Sequence, residues 1–293
     1  MQKKGQITFF LVTAVVILLF AGIYFYSKNY NTKTISDDII QSKLEPGYAD
    51  ALKAYAESCI RMTGAEALFN RIGLNGGYID PDGDPEYGEE GLPQNAPPPA
   101  LYLDNKVPYY LQKASEAGSE TAYDTFVPSL DWIGRKLGNY IAVEFEKCFD
   151  TGVFEDTGLN IIMPRKDIRV NVDINENDIY IKLEYPLTIK KGSVQTKLDS
   201  FAATLPIRLK ALHDSATAII ENIKNSQPNS YNITQDCRIY DKNGNTNVYA
   251  RELGQGTKII QFYDYSTYLE HYVNTYIFQF AVKDVNVDGS CVG

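Results

Sequence analysis

The first pattern along the chain is an apolar run, residues 7–26, that contains no charged side chain. At about 1.5 Å per residue, a helix of this length spans ~30 Å, the thickness of the hydrocarbon core of a bilayer. Lys3 and Lys4 precede the run, and aromatic residues of the kind that favour the membrane interface follow at its far end. The pattern predicts a transmembrane helix within residues 1–30 and a polar stalk over residues 31–46.

The next part, residues 47–150, is predicted to be mainly helical. Apolar residues recur at helical spacing over residues 49–73 and again from Ser129 onwards. The apolar stripe of the first helix contains Leu52, Ala56, Cys59, Ile60, Thr63 and Ala67, and that of the second contains Leu130, Ile133, Leu137, Ile141, Phe145 and Cys148. Each helix therefore places one cysteine on its buried face.

Residues 151–293 form a predicted β-rich part. Apolar and polar residues alternate over residues 168–173 and 179–185, which predicts a β-hairpin, with breaks expected at Pro186 and Gly192. Further predicted elements are an extended stretch over residues 194–209, a helix with Leu212, Ser215, Ala216, Ile219 and Ile223 on its apolar face, a short helix with a capping box at residues 267–270, and strands over residues 258–263 and 275–282. The predicted fold is α+β: two amphipathic helices and an antiparallel β-sheet with a packed helix.

The four cysteines are widely spaced and have no histidine nearby, which argues against a zinc site. An even number of isolated cysteines after a membrane segment favours two disulfides in an oxidising compartment. Because the helical stripes bury Cys59 and Cys148, we expect these two to pair, which leaves Cys237 with Cys291. Four reduced cysteines in a cytosol-facing domain are the alternative. Asn232 begins an N-glycosylation triplet.

Charge and composition narrow the classes of function. The 293 residues include 28 Lys and Arg against 37 Asp and Glu, and the net charge of −9 disfavours a nucleic-acid partner. The two histidines are His213, placed on a polar helix face as a solvated residue, and His271. The sequence contains no serine-hydrolase, zinc-protease or P-loop motif. We therefore predict no enzyme, no catalytic residue and no cofactor.

Two acidic segments have spacings that resemble calcium ligands. Residues 79–100 form a Pro-rich loop with six acids and no base, and residues 284–289 match the opening half of a calcium loop. In the first segment, Pro85 and Gly91 stand where an EF-hand needs its glycine and its bidentate glutamate. We expect a solvated acidic loop and an Asp-Gly turn, with calcium binding as the alternative.

Tyrosine is abundant, at 22 residues. Most are expected in the core and in sheets, where aromatic rings pack well. The run of Tyr263, Tyr265, Tyr268, Tyr272 and Tyr276 is expected to be exposed or to lie at an interface.

The N-terminal motif at residues 3–6, Lys-Lys-Gly-Gln, is followed at once by the apolar run of residues 7–26 and resembles the class III signal sequence of type IV pilins, particularly archaeal ones. The resemblance implies that a membrane peptidase cuts between Gly5 and Gln6. It also implies that the retained apolar helix packs in a filament core. Phe10 stands where many pilins have a glutamate, a departure that affects filament assembly more than cleavage.

These features predict a non-enzymatic, single-pass protein of the cell membrane with an extracellular ectodomain, pilin-like and acting in assembly or attachment. Short motifs at residues 57–59, 76–79 and 185–187 also look like those of uncharacterised anchored surface proteins of archaea. The expected partners are the membrane and either other copies of the N-terminal helix or another envelope protein. The alternatives are a membrane-tethered envelope enzyme that acts on glycans, an accessory subunit of an envelope machine, and an ordinary cleaved signal at Ala21-Gly22.

Overall fold

The computed structural model describes residues 46–88, 90–114, 122–163, 168–227, 229–236, 245–267, 269 and 275–291. All of them belong to Lys43–Gly293, one of the two units into which the chain divides. Among these residues, no helix is both long and apolar enough to span a bilayer. The predicted transmembrane helix and the stalk up to residue 45 lie outside the described residues.

The described residues form three α-helices: α1 (Pro46–Ala67), α2 (Leu130–Cys148) and α3 (Leu209–Ser226). The two amphipathic helices lie where the apolar spacing predicts them. Ser129 caps α2, because its hydroxyl oxygen accepts a 3.2 Å hydrogen bond from the backbone N–H of Trp132. α1 continues directly into a π-helical turn, Leu68–Ile72. Short 3₁₀ segments are Pro85–Tyr87, Thr151–Thr157 and Ile233–Asp236.

The strands of the described residues, numbered in chain order, are β1 (Ala100–Tyr102), β2 (Asn105–Val107), β3 (Tyr109–Lys113), β4 (Tyr123–Thr125), β5 (Asn160–Ile162), β6 (Arg169–Ile174), β7 (Ile179–Lys191), β8 (Val194–Leu205), β9 (Tyr231–Asn232), β10 (Thr246–Gly254), β11 (Thr257–Asp264), β12 (Tyr276–Lys283), β13 (Val287–Asp288) and β14 (Ser290–Cys291). They form two main sheets and two small pairs, β1 with β2 and β9 with β13.

The larger sheet has six strands in the order β14-β10-β11-β12-β3-β4. Its neighbouring strands are antiparallel except for β12 and β3, which run parallel. The expected antiparallel sheet is confirmed for the second sheet, whereas this larger sheet is mixed. The parallel pair arises because the long chain segment between β3 and β12 allows a crossover, which a tight turn does not.

The second sheet is antiparallel and contains β5, β6, β7 and β8. β6 and β7 are the predicted hairpin. β7 does not break at Pro186 as expected, because the register shifts between Glu184 and Leu187 and the strand continues for 13 residues in all. Gly192 does turn the chain, and its φ of +60° suits a residue without a Cβ.

One hydrophobic core joins the helical and β-rich parts of the unit. Its buried residues extend from Ala49 in α1 to Cys291 in β14. Every member of the predicted apolar stripe of α1 is buried. The predicted parts over residues 47–150 and 151–293 therefore share one core instead of folding around two.

Two glycines let the helices lie close to the second sheet, where α1 packs on β8 and α2 on β6. A Cβ at Gly64 would lie 3.0 Å from side-chain atoms of both Ile181 and Leu205. A Cβ at Gly138 would lie 3.0 Å from the carbonyl oxygen of Val170. A larger residue at Gly64 would require the Ile181 and Leu205 side chains to move, and one at Gly138 would require the β6 backbone or the helix to shift.

The chain after the π-helical turn contacts the larger sheet through its backbone. A Cβ at Gly73 would lie 2.2 Å from the carbonyl oxygen of Ile277, so only glycine fits here without a shift. The N–H of Gln279 donates to the Gly73 carbonyl at 3.0 Å, and its side-chain amide donates to the Leu74 carbonyl at 2.9 Å. The amide of Gln261 donates to the Gln279 side chain in turn, at 2.8 Å, which completes a buried polar chain.

Candidate functional site

Cys59 and Cys148 form a disulfide that joins α1 to the end of α2, with the two Cα atoms 5.7 Å apart. This is the pairing expected from the helical stripes. Cys59 is fully buried, and Cys148 is half-buried beside Phe149. Cys291 is also disulfide-bonded, and its expected partner Cys237 lies outside the described residues.

Tyr55 closes the end of α2 next to this disulfide. Its hydroxyl donates to the Cys148 carbonyl at 2.9 Å and accepts from the N–H of Asp150 at 3.2 Å. Its ring stacks on Phe149 with the centroids 5.4 Å apart. Tyr55 therefore supplies a partner for a carbonyl that has none within the helix, as C-terminal helix carbonyls require.

A polar cluster lies beside the disulfide-bonded helices and consists of Glu66, Arg71, Tyr87, Tyr140 and Glu144, here called the Arg71 cluster. The Arg71 guanidinium, on the π-helical turn, lies 5.6 Å from the ring centroid of Tyr87 and 5.2 Å from that of Tyr140. The hydroxyl of Tyr140 donates to Glu66, and that of Tyr87 donates to Glu144 at 2.8 Å. The cluster connects α1, α2 and the acidic segment.

Burial and the neighbouring carboxylates keep both hydroxyls of the Arg71 cluster protonated. Burial raises the pKa of Tyr87 to about 12, and the hydrogen bond to Glu144 adds to this effect. Burial and Glu66 likewise raise the pKa of Tyr140. Burial acts to raise the pKa of Glu144 as well, but hydrogen bonds from Lys147 and Tyr87 outweigh it and lower that pKa. Glu144 is thus held ionised, which suits an ion-pair partner better than a general acid.

The acidic segment, residues 79–100, is folded back on basic side chains. Lys106 lies 3.0 Å from Asp80 and 2.7 Å from Asp82, and the hydrogen bonds that it donates to Asp82 and Asp80 raise its pKa. Lys147 of α2 lies 2.7 Å from Glu86. Across the described residues, no three His, Cys, Asp or Glu side chains come together in a way that could hold a metal ion.

The second acidic segment, residues 284–289, takes the form expected of a strand end followed by a turn. Gly289 has a φ of +90° and separates β13 from β14. A Cβ at this glycine would lie 2.3 Å from the side-chain oxygen of Asn232. That same oxygen accepts a 2.9 Å hydrogen bond from the N–H of Thr234. Asn232 is half-buried in β9, and its glycosylation stays a prediction.

His213 is buried, so its placement as a solvated residue is wrong. It is 8% exposed, and its Nε2 lies 2.7 Å from the carbonyl oxygen of Pro128. Because a carbonyl only accepts, Nε2 carries the proton and donates. Burial lowers the pKa of His213, and Pro128 and the charge of Asp214 offset this only in part. The helical spacing missed this contact because Pro128 comes from a distant segment that covers the polar side of α3.

The tyrosine run does not share one environment. Tyr265 is 55% exposed and Tyr263 is half-buried, in agreement with a surface position. Tyr276 is fully buried, which contradicts the expectation for it, and its ring meets Phe69 edge-on at 5.2 Å. Tyr268 and Tyr272 lie outside the described residues.

The residues predicted to direct processing, Gly5 and Gln6, lie outside the described residues, as does His271. No protein-family model matches the chain, and neither a curated protein nor a solved structure matches it.

Proposed function

We propose that the chain is a non-enzymatic cell-surface protein, anchored in the membrane or polymerised through residues 7–26, whose disulfide-bonded domain acts outside the cell in assembly or attachment. The observation that carries the proposal is the Cys59–Cys148 disulfide between α1 and α2. Structural disulfides persist in oxidising compartments and are rare in the cytosol. A disulfide-bonded domain that follows an apolar run of 20 residues is the arrangement of an exported, tethered protein.

The connections between α1 and α2 also suit a role at the cell surface. The disulfide, Tyr55 and the Arg71 cluster all connect α1 to α2, and α1 is the helix that follows the apolar run in the chain. The crosslink between Cys59 and Cys148 stabilises the domain against unfolding from its first helix.

The experiment is intact-mass measurement and N-terminal sequencing of the protein taken from its own membranes, with thiols blocked before lysis. A mature chain that begins at Gln6 and carries oxidised Cys59 and Cys148 is the result we expect. A Gly5→Leu variant should keep the full N-terminus. Ala21→Leu is the matched control, because it alters the alternative cleavage site and should leave processing at Gly5 intact.

Other results would contradict the proposal in distinct ways. If Cys59 and Cys148 are reduced in protein from thiol-blocked cells, the proposed extracellular location is wrong. If the chain is cleaved after Ala21, and Ala21→Leu abolishes that cleavage, the mature protein lacks the apolar helix and the proposed anchor is wrong. A start at Met1 with oxidised cysteines would exclude pilin-like processing and leave a signal-anchored ectodomain. Crosslinking in intact membranes then separates self-contacts through the N-terminal run from a defined heterologous partner.

A further inference from the structure

Residues 82–88 of the acidic segment form a surface loop that contains one buried side chain, that of Tyr87. Tyr87 is 6% exposed, whereas the residues on either side of it are exposed. The N–H of Leu92 donates to the Pro81 carbonyl at 2.8 Å and joins the two ends of the loop. The loop can therefore leave the domain surface as a unit once the Tyr87 ring is withdrawn.

The Tyr87 ring is held by a cation and by a second ring. It packs against Tyr140 with the centroids 4.6 Å apart, and the Arg71 guanidinium lies 5.6 Å from its centroid. Its hydroxyl donates to Glu144 at 2.8 Å. The aromatic face and the phenolic hydroxyl of a tyrosine are thus bound by separate groups.

The two neighbours of Tyr87 are held by lysines of α2. The Glu86 carboxylate lies 2.7 Å from Nζ of Lys147, and Nζ of Lys136 donates to the Gly88 carbonyl. Lys136 is itself only 9% exposed. Together with the Arg71 cluster, these lysines form a site that binds three consecutive residues, an acid, a tyrosine and a glycine.

Several contacts within this site do not involve the loop. Tyr140 donates to Glu66, the Arg71 guanidinium lies 5.2 Å from the Tyr140 ring centroid, and Lys147 lies 2.8 Å from Glu144. The site is therefore held in shape by α1, the π-helical turn and α2. A segment of the same chemistry from another molecule meets the same partners.

We infer that this site binds an acidic tyrosine segment, and that residues 84–88 of a second copy of the chain replace the loop of the same copy there. Both arrangements form the same contacts, so the exchange costs only the change from an intramolecular to an intermolecular partner. That cost is smallest where copies are concentrated, so the exchange rests on the proposed assembly through residues 7–26. Binding of the isolated segment needs no membrane, so the site and the proposed function fail separately.

The first test is titration calorimetry with the peptide Ac-Asp-Pro-Glu-Tyr-Gly-NH2, which copies residues 84–88. The protein is the full chain with Tyr87→Ala, held in detergent, because its own loop no longer fills the site. We expect saturable binding with a Kd below about 1 mM. Phenylalanine in place of the peptide's tyrosine should weaken binding about tenfold, since it removes a hydrogen bond to a charged group. The unsubstituted chain should bind the peptide at least about tenfold more weakly, because its own loop competes.

A further substitution assigns the peptide to this site. Arg71→Met, added to Tyr87→Ala, should weaken peptide binding about fivefold, because it removes the cation that faces the tyrosine ring. Arg135→Met is the matched control, since Arg135 is exposed on α2 and its loss should change the affinity less than about twofold.

The second test mixes two variants of the full chain that carry fluorescent labels. Arg71→Met keeps the loop but has a defective site, and Tyr87→Ala keeps the site but lacks the tyrosine. Energy transfer in the mixture should exceed that of either variant alone at least about threefold. All three samples contain residues 7–26, so association through the apolar run contributes equally to each.

Two results would overturn the inference. If Tyr87→Ala binds no peptide at millimolar concentrations, or binds an alanine-substituted peptide equally well, the recognition site is wrong. If energy transfer in the mixture equals that of the separate variants, the exchange between copies is wrong. Should Arg71→Met not fold, Lys147→Glu replaces it, because it repels Glu86 from an exposed position.

Discussion

Arg208, the residue before α3, forms a two-point ion pair with Asp264 at the end of β11. Its Nη2 lies 2.7 Å from Oδ1 and its Nε lies 3.3 Å from Oδ2, while Nη2 also donates to Thr246 at 2.8 Å. The Asp264 side chain is fully buried. Burial acts to raise its pKa, but hydrogen bonds from Arg208, Thr267 and Ser266 outweigh burial and hold the pKa below its usual value. The pair fixes α3 to the larger sheet.

Removing the cation from this pair should strongly destabilise the domain. We expect Arg208→Met to lower the free energy of unfolding by about 3–5 kcal/mol, because Asp264 is left buried and unpaired. Urea denaturation followed by circular dichroism measures the change. Lys197→Met is the control, since Lys197 and Asp199 form an exposed ion pair on β8 and the substitution should cost less than about 1 kcal/mol. Equal losses in the two variants would contradict a special role for the buried pair.

His213 should make the domain less stable as the pH falls below neutrality. Its folded-state pKa lies below 6.5 because burial disfavours the imidazolium. Between the folded and unfolded pKa values, the unfolded chain binds more protons, so stability rises with pH there and is fully present above about pH 6.5. Urea unfolding at pH 7.5 and pH 5.5 measures the difference.

Two variants test whether His213 causes this pH dependence. His213→Gln should reduce the difference between the two pH values. Asp214→Asn should increase it, because the Asp214 charge, 3.8 Å from Nδ1, favours the imidazolium in the folded state. An unchanged difference in His213→Gln would assign the effect to other groups.

Two glycines on α2 should respond to alanine in opposite ways. Alanine favours a helix over glycine by about 1 kcal/mol. A Cβ at Gly134 would meet the Val172 carbonyl oxygen at 3.4 Å, an ordinary contact, so Gly134→Ala should be neutral or stabilise by up to about 1 kcal/mol. At Gly138 the Val170 oxygen would be only 3.0 Å away, and Gly138→Ala should destabilise by about 1–2 kcal/mol. Thermal melts of both variants compare them, and stabilisation by Gly138→Ala would show that β6 yields easily.

Loss of the first disulfide should be costly. The two cysteines are 89 residues apart, and closing a loop of this length restricts the unfolded chain by about 4 kcal/mol in the chain-entropy model. The double variant Cys59→Ala, Cys148→Ala should therefore unfold at a lower urea concentration, and its free energy of unfolding should fall by an amount that approaches this value. The variant is preferable to a reducing agent, which would also reduce the disulfide of Cys291. A change below about 1 kcal/mol would mean that the unfolded chain is already restricted.

The elements that the sequence predicts well are those with local signals. α1 and α2 follow a 3.6-residue apolar period, α2 begins after a serine cap, and the β6–β7 hairpin alternates around a polar tip. The strands β1 to β5, β9, β10 and β14 were not predicted, because they are short or carry few alternating apolar residues. The parallel pairing of β12 with β3 has no local signal, since the partners lie far apart in the chain.

The site residues also divide into those with a local sequence signal and those without one. The Cys59–Cys148 pairing could be predicted from the sequence because each cysteine lies on a periodic apolar stripe. The roles of Arg71 and Arg208 could not be predicted from the sequence. An arginine is expected to be solvated unless the aromatic rings or the carboxylate around it are known.

The Cys59–Cys148 disulfide also determines how the domain responds to tension. A pulling force applied through the chain before Pro46 acts first on α1. Between Pro46 and Cys148 it can unfold only the residues up to Cys59. Beyond that point the covalent bond passes the force directly to Cys148, so the intervening segment is bypassed. The 89-residue separation corresponds to about 310 Å of extended chain that a pull cannot release without breaking a sulfur–sulfur bond. The disulfide thus limits how far the domain can lengthen under a pulling force.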